Sequence, residues 1–251
     1  VFTDIQKGPV MRVATYERGR LRFWTDPFEI NVSNEFHFFT PSDSVQDVTL
    51  FAKYTLRADD MFLNRMIGGT FEGSNDPDFR EKEVLYLINE KPKRLQTVVQ
   101  SYSSKPYRYV RYVGPKESHC NIAEVAFYTP NDTASLKGKV MGTPGCFQKD
   151  GSHEYTNVFD GDVTTSFDYI ESSGGWAGLD LGIPKQIEKI VYTPRSYDNY
   201  IRSGDKYELF YCTGNKWSSL GKQLSEADSL TYKNVPRNVL LLLKNYSHGV
   251  Q

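Results

Sequence analysis

The chain has 251 residues, room for two ordinary hydrophobic cores, and a formal net charge of −1. That balance gives no electrostatic basis for non-specific nucleic-acid binding, which takes a clear excess of Lys and Arg. No run of about 18 apolar residues occurs, so no membrane-spanning helix is expected.

Strand signals dominate from the start. Short aromatic or β-branched runs bounded by turn residues predict strands at Phe36 to Phe39, Val48 to Tyr54, Val84 to Ile88, Tyr107 to Val113 and Ile122 to Tyr128. The second half repeats the pattern at Ala177 to Leu181, Ile187 to Tyr192, Tyr207 to Tyr211 and Val239 to Leu243. Leu240 to Leu243 is continuously apolar, as for a strand buried on both faces. No segment keeps a 3.6-residue apolar period for three turns. The 17 Tyr and 15 Phe suit strands, and also surfaces that stack on sugars. Cys120, Cys146 and Cys212 fit no zinc spacing and are read as small buried hydrophobes.

The chain also repeats itself. Val48 to Tyr54 lines up with Ile187 to Thr193, and Thr70 to Asp76 lines up at nearly the same offset with Leu209 to Asn215. The offset then drifts, and Lys105 to Val110 meets Val235 to Leu240. Two copies of one β module explain this better than one large domain. The polar segment Thr129 to Ser135 reads as the linker, placing the modules at residues 1–134 and 135–251. The second copy has no counterpart of the closing strand Ile122 to Tyr128. Beginning Val1-Phe2-Thr3, without an initiator Met or a signal-peptide pattern, the sequence is expected to be part of a longer polypeptide.

The sharpest local motif is Asn157-Val158-Phe159-Asp160-Gly161-Asp162-Val163-Thr164-Thr165. Closely spaced Asp carboxylates, a glycine for the turn and Thr oxygens suit a hard cation such as calcium. They equally suit an Asp-Gly turn capped by its own side chains. Arg195-Ser196-Tyr197-Asp198-Asn199-Tyr200-Ile201-Arg202 packs aromatic faces, an amide and guanidinium groups into one predicted loop, the groups that recognise a sugar. Trp176 lies beside it as either a sugar platform or core, and Arg195 as either a ligand group or half of a structural ion pair. Tyr197 and Tyr200 are expected at the surface. His37, His119, His153 and His248 stand apart, with no motif-embedded nucleophile near any of them, so no enzyme is expected.

In order, the Asp160 loop, Trp176-Ala177-Gly178-Leu179-Asp180-Leu181-Gly182, Ile187 to Arg195 and Tyr207 to Tyr211 resemble the discoidin or coagulation factor 5/8 type C family, which overlaps the family 32 carbohydrate-binding modules. The first copy shares the later motifs, Phe71 to Phe79 and Asn121 to Tyr128. The whole is also similar to the C-terminal parts of large secreted proteins of Bacteroides-type bacteria, some with an upstream transglutaminase-like domain. The resemblance implies two tandem jelly-roll β-sandwiches of the galactose-binding type, extracytoplasmic, that bind a glycan through loops at one end. It implies structural Ca2+ at Asp160, Asp162 and Thr165 of the second copy. The Glu near the last strand that can help hold it has its match at Glu124 in the first copy but would fall beyond Gln251 in the second, so that site can be incomplete, and no calcium is expected in the first copy. It makes Trp176, Arg195, Tyr197, Asn199, Tyr200 and Arg202 the glycan-binding candidates. A protein-interaction or scaffolding role beside an upstream catalytic domain is the alternative.

Overall fold

Short β-branched and aromatic runs form strands nearly everywhere in the chain. The computed structural model describes residues 9–53, 61–92, 94–196 and 198–248. The first segment carries β1 (Ala14–Glu17), β2 (Arg20–Trp24), β3 (Phe28–Ile30), β4 (Phe36–Phe38) and β5 (Val45–Leu50). After one helical turn (Met61–Asn64) come β6 (Thr70–Ser74), β7 (Lys82–Leu87), β8 (Thr97–Gln100), β9 (Pro106–Val113) and β10 (Ile122–Tyr128). Then follow β11 (Lys139–Gly142), a 3-10 turn (Tyr155–Phe159), β12 (Trp176–Gln186) and β13 (Lys189–Pro194). The last segment adds β14 (Lys206–Thr213), β15 (Lys216–Leu224), β16 (Leu230–Pro236) and β17 (Leu241–Asn245). Among the described residues, no helix is long and apolar enough to cross a membrane.

The strands sort into two compact units. One is continuous, Thr55–Tyr200; the other is split, Val1–Tyr54 with Ile201–Gln251. The continuous unit sets a five-stranded sheet, β11-β12-β9-β6-β7, and a three-stranded sheet, β10-β13-β8, around one core. Alternation decides which side chains enter that core: Val125 and Phe127 from β10, Ile190 and Tyr192 from β13, Ala177 and Leu179 from β12. Phe71 of β6 sits at the centre, 5.4 Å from the ring of Tyr112, 5.3 Å from Tyr192 and 6.2 Å from Phe127. It thus ties the two sheets face to face, and truncating so buried a ring typically costs about 3–5 kcal/mol.

The split unit has its own core. Tyr207 and Leu209 of β14 meet Leu230, Tyr232 and Val235 of β16, with Val48 and Leu50 of β5 packed against them. Its sheets are β15-β14-β17 and β16-β5, with hairpins β1-β2 and β3-β4. The strand at Leu240 to Leu243 departs from expectation: Leu241 and Leu242 are 38% and 36% exposed. β17 is the edge strand of its sheet, and β14 is its one neighbour there.

The expected division at 134/135 does not follow these units. That point lies inside the continuous unit, between β10 and β11, and β12 pairs with β9 across it, Leu179 opposite Val110. Both units contain a three-strand antiparallel order of the same kind, β7-β6-β9 in one and β15-β14-β17 in the other. The continuous unit spans the expected boundary, and the split unit takes the two ends of the chain. β10 lies antiparallel to β13, with Phe127 opposite Ile190.

Candidate functional site

The Asp160 loop is stretched between two anchors. Val158, fully buried, lies in the last part of the 3-10 turn, and Phe167, also fully buried, exchanges backbone hydrogen bonds with Ile122 at the start of β10. Between them the loop folds on its own side chains. The Asp160 carboxylate accepts the Asp162 N–H at 2.7 Å and the Thr165 hydroxyl at 2.8 Å. The Asp162 carboxylate accepts both the N–H and the hydroxyl of Thr164, at 2.8 and 2.6 Å. Gly161, at φ +84°, makes the turn that an L side chain would resist.

β10 runs beneath this loop. Gly161 donates its N–H to Glu124 Oε1 at 2.9 Å, and the Glu124 carboxyl meets that of Asp160. Burial, and then the neighbouring Asp160, push the Glu124 carboxyl up to about 8. Two carboxyls in contact share a proton or a cation, so the pair fits the divalent ion expected here. Asp162 is turned toward Thr164, and among the described residues no three His, Cys, Asp or Glu side chains cluster tightly enough to hold a metal by themselves.

The expected sugar residues are mostly interior. Arg195 is buried and forms an ion pair with the equally buried Asp168. Asn199 and Tyr200, 1% and 5% exposed, lie in a tight turn closed by Asn199 N–H to Ser196 O and Tyr200 N–H to Asp198 O. Tyr200 is therefore not the surface ring expected of it: the turn tucks it inward. Tyr197 lies outside the described residues. Arg202 falls in the split unit, where its N–H bonds the Tyr207 hydroxyl at 2.9 Å. Trp176 is half-buried, its ring 5.9 Å from Phe79. The Arg111 guanidinium lies 3.9 Å from the Phe79 ring and 5.2 Å from that of Trp176, and is held at 2.8 Å by the buried Glu72.

A different aromatic is presented to solvent. Phe147 is 56% exposed, and its N–H bonds the backbone carbonyl of Asp168, the residue whose carboxylate holds Arg195. The His119 ring meets Phe147 edge-on, centroids 5.2 Å apart. His119 belongs to a strained run: His119, Cys120 and Asn121 all have positive φ, at 58°, 74° and 47°. The run is held by hydrogen bonds from Ser118 and His119 to Ser172 O and from Tyr169 to His119 O. Cys120 is buried against Gly114 and Gly175, where any added Cβ would strike its sulfur, and burial pushes its thiol up to about 12. His119 Nδ1 lies 2.8 Å from the Tyr169 carbonyl. A carbonyl only accepts, so the neutral ring carries its proton on Nδ1 and leaves Nε2 an acceptor.

Sequence reasoning missed Phe147, because nothing in Gly145-Cys146-Phe147-Gln148 distinguishes an exposed ring from a core one. It named Glu124 but not its contact with the Asp160 loop, since a pairing between residues 37 apart has no local signature. No protein-family model, no curated protein and no solved structure matches the chain.

Proposed function

We propose that the chain is a non-catalytic glycan-binding region of a larger secreted or surface protein, with the continuous unit a discoidin-like jelly roll. The observation that carries this reading is Phe147, a solvent-facing ring on backbone tied to Asp168 and flanked by His119. A pyranose face stacks on such a ring, and His119 Nε2 accepts a sugar hydroxyl. Arg195 contributes indirectly: its pairing with Asp168 fixes the segment from which Phe147 hangs. Calcium, when bound, neutralises the Glu124–Asp160 pair, with the Thr165 hydroxyl and loop carbonyls as further oxygens, and stiffens the loop.

A glycan array probed with and without a chelator, followed by titration of the best ligand, tests this. Phe147→Ala is expected to weaken binding at least tenfold with an unchanged melting temperature. Wild-type affinity in that variant, or silence on the array, overturns the assignment.

The scaffolding reading draws on the split unit. Phe23, Val32, Phe36 and Phe38 are all exposed there, Phe36 and Phe38 stacked at 6.4 Å. Exposed apolar groups of this density suit a protein partner.

A further inference from the structure

The split unit contains a cavity of about 310 Å³, bounded by Val10, Pro27 and Leu240 and by the polar or aromatic side chains of Arg12, Asn215 and Trp217. Its volume suits one sugar ring or a ligand of that size. Trp217 is 47% exposed. It stands opposite Cys212 on β15, one pair from the two-residue turn that joins β14 to β15. Gly214 takes φ +55° in that turn, which fixes the neighbouring Asn215 on a tight hairpin.

Arg12 is half-buried, and its backbone is pinned on both sides. Met11 exchanges two backbone hydrogen bonds with Phe28, at 2.8 and 2.9 Å, and Val13 O accepts the Thr25 N–H at 2.9 Å. The guanidinium lies 5.2 Å from the Trp24 ring. Its Nη2 donates to Cys212 Sγ at 3.1 Å and to the Gly214 carbonyl. Both acceptors are neutral, and among the described residues no carboxylate pairs with Arg12. Guanidinium does not shed its charge, so a half-buried one held by neutral acceptors is a ready partner for an anion.

We propose that this cavity binds the carboxylate of an acidic sugar, a hexuronate residue. Arg12 takes the carboxylate, the Trp217 indole the pyranose face, and Asn215 a ring hydroxyl. The sugar class rests on the glycan-binding reading above; the cavity and its unpaired charge stand without it.

Methyl glucuronide and methyl glucoside differ only in a carboxylate against a hydroxymethyl group, so they are the probes. Titration of the whole chain, followed by saturation-transfer NMR and by tryptophan fluorescence, should show the glucuronide binding at least tenfold more tightly. Arg12→Gln should erase that preference. Trp217→Ala, a change at an exposed residue, should abolish binding with the melting temperature unchanged, which keeps the test open if Arg12→Gln fails to fold. Equal affinity for the two sugars, no saturable glucuronide binding, or unaltered binding in Trp217→Ala overturns the proposal. Phe147→Ala separates the two sites: glucuronide binding that survives it while array ligands are lost supports both. Loss of glucuronide binding in that variant, with the fold intact, removes this site.

Discussion

At the scale of single residues, burial decides roles more than residue type does. Arg195 and Arg12 have the same guanidinium, yet Arg195 is matched by Asp168 in the interior while Arg12, among the described residues, meets only the neutral acceptors Cys212 Sγ and the Gly214 carbonyl. Glu124 carries the sharpest consequence. Its carboxyl goes from an ordinary 4.5 to about 8 on folding, so the folded chain binds that proton more tightly than the unfolded one. Stability from this group is present in full below pH 4.5, falls as pH rises through that window, and is lost above about 8. In chelator, the melting temperature of the wild type should therefore be higher at pH 5.5 than at pH 8.5. Glu124→Gln should flatten the difference, and calcium should restore the wild type at pH 8.5. Parallel pH profiles for wild type and Glu124→Gln would show that Glu124 is not the group responsible.

At the scale of elements, the strands with clear alternation or apolar runs were legible, but β1, β2, β3, β6, β8, β11, β15 and β16 were not, and neither were the strand partners. Tyr107 to Val113 announces β9 by its alternation, and Ile122 to Tyr128 announces β10 almost to the residue. Similar strand patterns blur the pairing, because they offer each strand several chemically similar partners. What selects among them is close fit, and fit depends on residues with no pattern of their own. Gly178 is the case in point. It pairs with Arg111, and a Cβ there would lie 2.4 Å from the Val110 carbonyl oxygen and 2.7 Å from the Arg111 Cβ. Gly178→Ala should prise β12 from β9 and cost about 1–3 kcal/mol. A thermal melt of the variant measures it, and a midpoint equal to the wild type would mean that the sheet yields without cost. The same logic explains the site. The Asp160 loop was readable because its oxygens are local, whereas the fate of Arg195 depended on Asp168, 27 residues away.

At the scale of the whole molecule, the division into units fixes where the chain can be cut. Residues 55–200 contain every strand of the sandwich built around Phe71, so that fragment should fold alone with a cooperative melt and dispersed amide resonances. Residues 135–251 follow the sequence repeat instead. They lack β9 and β10, the partners of β12 and β13, and should stay unfolded or aggregate. A well-folded 135–251 fragment would contradict these units and pairings outright. The split unit also imposes an order on synthesis. Thr49 and Thr231 share a hydrogen bond although 182 residues separate them. At about 5–20 residues per second, β5 leaves the ribosome roughly 10 to 40 s before its partner exists. In that interval the continuous unit, whose last strand ends at Pro194, has all it needs to close. The nascent first segment meanwhile carries Val45, Val48 and Leu50 on a bare strand edge open to any neighbouring chain. The translation speed of residues 201–236 thus becomes a determinant of yield, and slow codons there should raise the share of polypeptide lost to aggregation.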